Sequence, residues 1–148
     1  GANVRLVGRS IEKAEKTAAI CNDRYQSKNV VAGADADKQD YLNKADIVLN
    51  TGAAGIQLMS DENIQMSSNL KICADTNAVP PSGIAGVDVM DSGKIMEKSP
   101  NKCRGIGALA IGNVKYKSQH ECLKLMYTSD DPVYLDFEDA FKFAQKSV

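Results

Sequence analysis

Two cations and a hydroxyl near the start of the chain have the types and spacing of an anion-binding site. Arg9 and Ser10 follow an apolar run that ends at Gly8, and Lys13 lies one helical turn further on. In a dinucleotide-binding fold the end of the second strand meets the adenosine ribose, and an acidic residue there selects NAD. Here a guanidinium stands in its place, and its planar fork of donors suits a phosphate. These residues predict a 2′-phosphate site and hence NADP, the alternative being solvated charges at a helix start.

The run NTGAAG is a second candidate, because it ends a buried strand with small residues only. At Thr51, Gly52 and Ala53 a cofactor can come close to the main chain, whose N–H groups can meet a pyrophosphate or a ribose. The alternative is an ordinary tight turn between a strand and a helix.

Polar residues after two later strands complete the set of candidates. Asp75 and Asn77 end one strand, where they either fix the nicotinamide side or cap the Pro-rich loop that follows. Lys115 and Lys117 lie in GIGALAIGNVKYK, which is glycine-rich but lacks the third glycine of a dinucleotide fingerprint. The two lysines share a side if this segment is extended and lie apart if it is helical, and both could simply be solvated.

Composition excludes several other classes. The 148 residues carry a net charge of −1, so no broad basic surface is available for nucleic acid. No apolar run approaches the ~20 residues of a membrane span. A single histidine, His120, and no ligand cluster predict that no metal is bound. Scattered cysteines predict reduced, mostly buried thiols in a cytoplasmic protein: Cys21, Cys73, Cys103 and Cys122.

Strand and helix patterns alternate along the chain, and the strands are apolar on both faces. Strands are expected at 3–8, 29–34 and 70–76, with a brief one at the end of the loop 77–89. In 45–55 a buried strand is expected to run into a small-residue turn, and 103–117 is a further apolar segment with three glycines. Helices are expected at 9–28, 37–45, 61–66 and 118–128, and a last one is capped by Asp136 with Asp139 three residues on. This order predicts an α/β fold, a doubly wound parallel sheet of the Rossmann type, with ligands at the carboxyl ends of the strands.

Four segments occur in the order and spacing of one family: VRLVGRSIEKA, ADIVLNTGAAGIQLM, ADTNAVPPSGIAGVD and GIGALAIGNVKYK. Together they resemble the NADP-dependent methylene-tetrahydromethanopterin dehydrogenases of bacterial one-carbon metabolism. The resemblance implies reversible hydride transfer between NADP and a methylene-tetrahydropterin, with methanopterin or folate as the pterin. It also implies a homo-oligomer.

The resemblance further implies roles for individual residues. It places Lys115 in the active site, where it orients or polarises the pterin. It places the 2′-phosphate against Arg9, Ser10 and Lys13. It places the body of the cofactor along Thr51, Gly52 and Ala53, and the nicotinamide near Asn77.

The chain departs from the family at its start. The first strand with its glycine-rich turn, and the separate N-terminal substrate domain, have no counterpart in the sequence. Residues 1–148 are therefore expected to be a partial NADP-binding domain, truncated at its N-terminus. The alternatives are a shikimate-type NADP dehydrogenase and a nucleotide-binding or assembly module without turnover of its own.

Overall fold

Strands and helices alternate in the computed structural model, which describes residues 1–147. The strands are β1 (Val4–Gly8), β2 (Val30–Ala34), β3 (Ile47–Asn50), β4 (Ile72–Asp75), β5 (Ser92–Ile95) and β6 (Arg104–Ile106). The helices are α1 (Ile11–Arg24), α2 (Lys38–Leu42), α3 (Asp61–Met66), α4 (Ala108–Thr128) and α5 (Phe137–Gln145).

The strands form two sheets in which parallel pairing dominates. One sheet contains β1 and β2, which are parallel. The other has the order β3-β4-β6-β5, in which only β5 is antiparallel to its neighbour. The prediction of a Rossmann-like α/β fold is confirmed, but the strands do not form one continuous sheet. In the part of the chain that the structure describes, β1 and β3 each pair along one edge only.

The hydrophobic core lies around the four-stranded sheet. Its buried members come from that sheet, from α2 and α3, and from the loops between them: Leu42, Met59, Ile64, Leu70, Cys73, Ile84, Val87, Met96 and Cys103. The unit formed by β1, α1 and β2 buries much less. The buried face of α1 consists of Ala14 and Ala18, which remove little apolar surface from water.

The predicted caps are present at both ends of the chain. Ser10 caps α1 by accepting a hydrogen bond from the Lys13 N–H at 3.3 Å, and there is no reciprocal bond, as expected. Asp136 and Asp139 form the capping box that begins α5. Caps are local interactions, which is why sequence alone identifies them.

The structure differs from the expected elements in three places. The helix predicted at 118–128 begins ten residues earlier, at Ala108, so that α4 includes most of the glycine-rich segment. The helix predicted at 37–45 is present but shorter: a 3-10 turn at Asp35–Asp37 precedes α2, which ends at Leu42. The end of the loop 77–89 forms no strand, whereas β5, which was not predicted, pairs with β6.

Only two of the four thiols are fully buried, fewer than predicted. Cys73 and Cys103 have no exposed surface, and their sulfur atoms lie 3.5 Å apart, while Cys21 and Cys122 are half-buried. Burial disfavours the thiolate and raises the pKa of both Cys73 and Cys103.

A thiol reagent added to the native protein is therefore expected to label Cys21 and Cys122 first, with Cys73 and Cys103 reacting only as the protein unfolds. Mass spectrometry of labelled peptides over time measures this order, and equal rates for all four would contradict it.

Candidate functional site

The predicted phosphate-binding residues lie together at the carboxyl end of β1. Arg9, Ser10 and Lys13 line one open cleft of about 500 Å³, together with Leu6, Val7, Gly8, Ala14 and Thr17. Neither cation makes an ion pair with any carboxylate in residues 1–147, and no carboxylate lines the cleft. Glu12 is exposed in the same turn of α1 but is not part of the lining. The cleft therefore offers two cations without anionic partners beside the positive end of a helix dipole.

The small-residue turn follows β3 and exposes its main chain. Thr51, Gly52 and Ala53 are all exposed. The Gly52 N–H donates to Asn50 Oδ1 at 3.1 Å, which fixes the start of the turn. A Cβ atom on Gly52 would come within 2.5 Å of Leu58 Cδ1, so the absence of a side chain lets the loop 56–59 pack closely.

The end of β4 is held by buried hydrogen bonds. Asn77 is buried, and its Oδ1 accepts from the N–H groups of Gly55 and Val79, while its Nδ2 donates to Pro81 O. These bonds join the loop after β4 to the turn after β3, so the structure brings Asn77 beside residues 51–55. Two roles were predicted for Asp75, and the structure shows that it caps the Pro-rich loop. Its carboxylate accepts hydrogen bonds from the N–H groups of Asn77 and Ile84.

Lys115 lies in the second turn of α4, which settles the conformation of its segment. Because the segment is helical, Lys115 and Lys117 point to different sides of α4. The side chain of Lys115 is exposed, and it makes no hydrogen bond or ion pair with any other described residue. No such bond connects it to the cleft at β1 or to the turn after β3, and its role stays a prediction.

Asn50 is a component of the candidate site that was not predicted from the sequence. It is Asp75's partner in the parallel register of β3 and β4, and its Nδ2 donates to Asp75 Oδ1 at 2.7 Å. The available signal was a polar residue at the end of an otherwise apolar strand. Its partner is 25 residues away, however, and only the register identifies it.

Gly83 lies where the side chains of Asn50 and Asp75 meet. A Cβ atom there would overlap Asn50 Nδ2 and lie 2.9 Å from Asp75 Oδ1. Gly83→Ala must displace a buried hydrogen bond, and we expect it to lower the free energy of unfolding by about 2–4 kcal/mol. Gly112→Ala is the control, because a Cβ in this part of α4 meets nothing within 4 Å, and it should stabilise the protein by about 0.5–1 kcal/mol. Denaturant titration compares the two, and a neutral Gly83→Ala would contradict the packing described here.

Residues 1–147 contain no group of three or more His, Cys, Asp or Glu side chains placed to hold a metal ion. Within the same range, none of the helices combines the length and the apolar character needed to cross a membrane.

The mostly parallel strands, the helices between them and the loops at the strand ends place the chain in the Rossmann-like class of α/β domains. Comparison with known proteins narrows this class. The chain is 41% identical over 103 residues to the NAD(P)-dependent methylenetetrahydromethanopterin dehydrogenase of Methylorubrum extorquens. The aligned residues make up 70% of this chain and 34% of that protein. It is also 36% identical over 149 aligned positions to the bifunctional protein MdtA of the same organism. This alignment covers 99% of this chain and 50% of that protein.

This chain belongs to the methylenetetrahydromethanopterin dehydrogenase family, the one that its four segments resemble. No family model matches it. The chain spans half or less of the length of these two relatives.

Proposed function

We propose that this chain is the NADP-binding part of an oxidoreductase of one-carbon metabolism. The reaction is reversible hydride transfer between NADP and methylene-tetrahydromethanopterin or methylene-tetrahydrofolate. The observation that carries the proposal is the cleft of about 500 Å³ in which Arg9, Ser10 and Lys13 converge after β1. The names of the two relatives support the same chemistry.

The residues in the cleft fit a phosphate monoester. The guanidinium of Arg9 offers a fork of donors that can bind two phosphate oxygens at once. The Lys13 ammonium adds a second positive charge, and the hydroxyl of Ser10 lies between the two cations in sequence, at the cap of α1. An NAD-selective site needs an acceptor for the ribose hydroxyls at this place, and the lining residues include no carboxylate.

The remaining residues serve to position the two reactants. We assign Thr51, Gly52 and Ala53 to close contact with the body of the cofactor, because their main chain is exposed after β3. Asn77 fixes the neighbouring loop, with its side chain bonded to Gly55 and Pro81, and meets the nicotinamide side through that loop. When bound, NADP supplies the hydride acceptor.

Lys115 is assigned to the pterin side of the reaction. The carbon that loses hydride lies between two nitrogen atoms, which stabilise the positive charge that develops. A general base is therefore not required, and orientation of the two rings accounts for most of the rate. An exposed lysine without an internal partner is suited to orient or polarise the pterin ring.

We further propose that residues 1–148 form a domain that another strand completes. Within residues 1–147, β1 and β3 each pair along one edge only, and apolar side chains of both strands are exposed: Val4, Val7, Ile47 and Leu49. Exposed apolar edges of this kind are normally covered by a neighbouring strand. Hydrogen exchange tests this: amides of β1 and β3 should be better protected in the full-length protein than in the isolated chain. Equal protection would contradict it.

The proposal extends to the cellular compartment and the oligomeric state of the enzyme. Four free thiols in residues 1–147 fit a reducing compartment such as the cytoplasm. A homo-oligomer is expected for the full-length protein, and light scattering measures its mass. A monomeric mass would contradict this part of the proposal.

Calorimetry with NADP and with NAD tests the cofactor assignment. The full-length protein is expected to bind NADP at least about tenfold more tightly than NAD, because only NADP carries the phosphate that two cations can meet. Binding of 2′-phospho-ADP-ribose, which lacks the nicotinamide, should retain most of this preference. A protein that binds neither dinucleotide would overturn the proposal.

A further inference from the structure

The Asp75 carboxylate connects the end of β3 to the loop 76–84, beside the main chain assigned to the cofactor. Only 1% of Asp75 is exposed. Its Oδ1 accepts from Asn50 Nδ2 at 2.7 Å and from the Asn77 N–H at 3.0 Å, and its Oδ2 accepts from the Ile84 N–H at 3.0 Å. These donors belong to the end of β3 and to the two ends of the loop 76–84. Both carboxylate oxygens are used, and Asp75 is not exposed for direct contact with a ligand.

The residues bonded to Asp75 hold both ends of the small-residue turn. Asn50 Oδ1 accepts from the Gly52 N–H at 3.1 Å, and Asn77 Oδ1 accepts from the Gly55 N–H at 3.2 Å. The turn therefore has one bond to each of the two asparagines, and both asparagines are bonded to the same carboxylate. The exposed main chain of the turn depends on Asp75 through these two contacts.

We propose that Asp75 is a positioning residue that fixes the turn 50–55 and the loop 76–84 relative to each other. This inference rests on the proposed function, since the fixed main chain is the part assigned to the cofactor. The requirement is for a carboxylate, because three donors meet it and a carboxylate is acceptor-only. An asparagine of the same shape has one acceptor oxygen, and its NH2 group faces at least one N–H donor.

Asp75→Asn in the full-length protein tests the proposal, and Asp91→Asn is the matched control. Asp91 is also a buried carboxylate, 8% exposed, and it accepts from the Asp88 N–H in a turn that lies outside residues 50–84. Asp75→Asn is expected to weaken NADP binding about 10- to 100-fold, since a buried N–H loses its acceptor. The Michaelis constant for NADP should rise more than the turnover rate falls, whereas Asp91→Asn should leave NADP affinity unchanged.

Hydrogen exchange without cofactor provides a second measurement. In Asp75→Asn, amides in the segments 51–55 and 77–84 should exchange faster, and those of β5 and β6 should not. This measurement stands even if the wild-type protein binds no NADP, so failure of the proposed function and failure of this inference are distinguishable. Unchanged exchange in both segments overturns the inference, as does an equal loss of NADP affinity in Asp91→Asn.

Two further variants test whether the lost hydrogen bond can be restored and provide an alternative if Asp75→Asn does not fold. Asn50→Asp combined with Asp75→Asn restores a donor–acceptor pair between the two strand ends, and it should bind NADP more tightly than Asp75→Asn alone. If Asp75→Asn does not fold, Asn50→Ser releases the same turn with a smaller buried change. It should speed exchange in 51–55 and weaken NADP binding, and unchanged values of both would overturn the inference.

Discussion

Arg9→Glu is expected to weaken NADP binding about 100-fold while NAD binding changes less than about threefold. The substitution removes the forked donor from the cleft and places a carboxylate where the 2′-phosphate is proposed to bind. NAD has no charge at that position, so its affinity is nearly insensitive to the change. Calorimetry of both dinucleotides against the full-length protein measures the two effects together.

Lys16→Glu is the matched control for Arg9→Glu. It makes the same change in net charge seven residues further along the chain, on α1, but Lys16 is exposed and does not line the cleft. NADP affinity should therefore change by less than about threefold, because an exposed charge outside the site is screened by salt. Equal losses for NADP and NAD in Arg9→Glu would make Arg9 a structural residue.

Lys115→Ala is expected to lower the turnover rate about 100-fold and to leave NADP affinity unchanged. Lys115 has no hydrogen-bond or ion-pair partner among the described residues, so its removal costs the fold little. Its proposed contact is with the pterin, and the loss should therefore be in turnover and in the Michaelis constant for the pterin. Steady-state kinetics together with calorimetry separates these quantities.

Lys117→Ala controls for the general loss of a cation on α4. Lys117 is two residues further along the same helix and points to another side, so its removal should leave turnover within about twofold of wild type. A turnover rate that Lys115→Ala does not change would remove Lys115 from the site. Equal losses in the two variants would indicate a diffuse electrostatic effect instead.

Sequence predicted the parts of the site that depend on local order. The cleft at β1 is one example, because Arg9, Ser10 and Lys13 are neighbours in the chain and their positions follow from one strand and one cap. The bond between Asn50 and Asp75 was not predictable in this way. It depends on the register of β3 against β4, and no local pattern specifies the register between two strands separated by a helix.

The same distinction explains the errors in the fold. The start of α4 was missed because its N-cap, Gly107, has no capping side chain, and Gly112 interrupts the helical pattern. β5 has four residues, includes Gly93 at a φ of +87°, and depends on pairing with β6. The separation into two sheets depends on which strands pair with each other. The residue pattern within a single strand does not specify its pairing partner.

The most direct test of the central claim is the NADPH absorbance band that appears when full-length protein meets methylene-tetrahydromethanopterin and NADP. We expect this band to rise with NADP, and the NADH band to rise far more slowly when NAD replaces NADP. In Lys115→Ala the rise with NADP should be about 100-fold slower. Methylene-tetrahydrofolate in a parallel assay identifies the preferred pterin. A full-length protein that is folded and binds NADP, yet forms no NADPH with either pterin, would contradict the account.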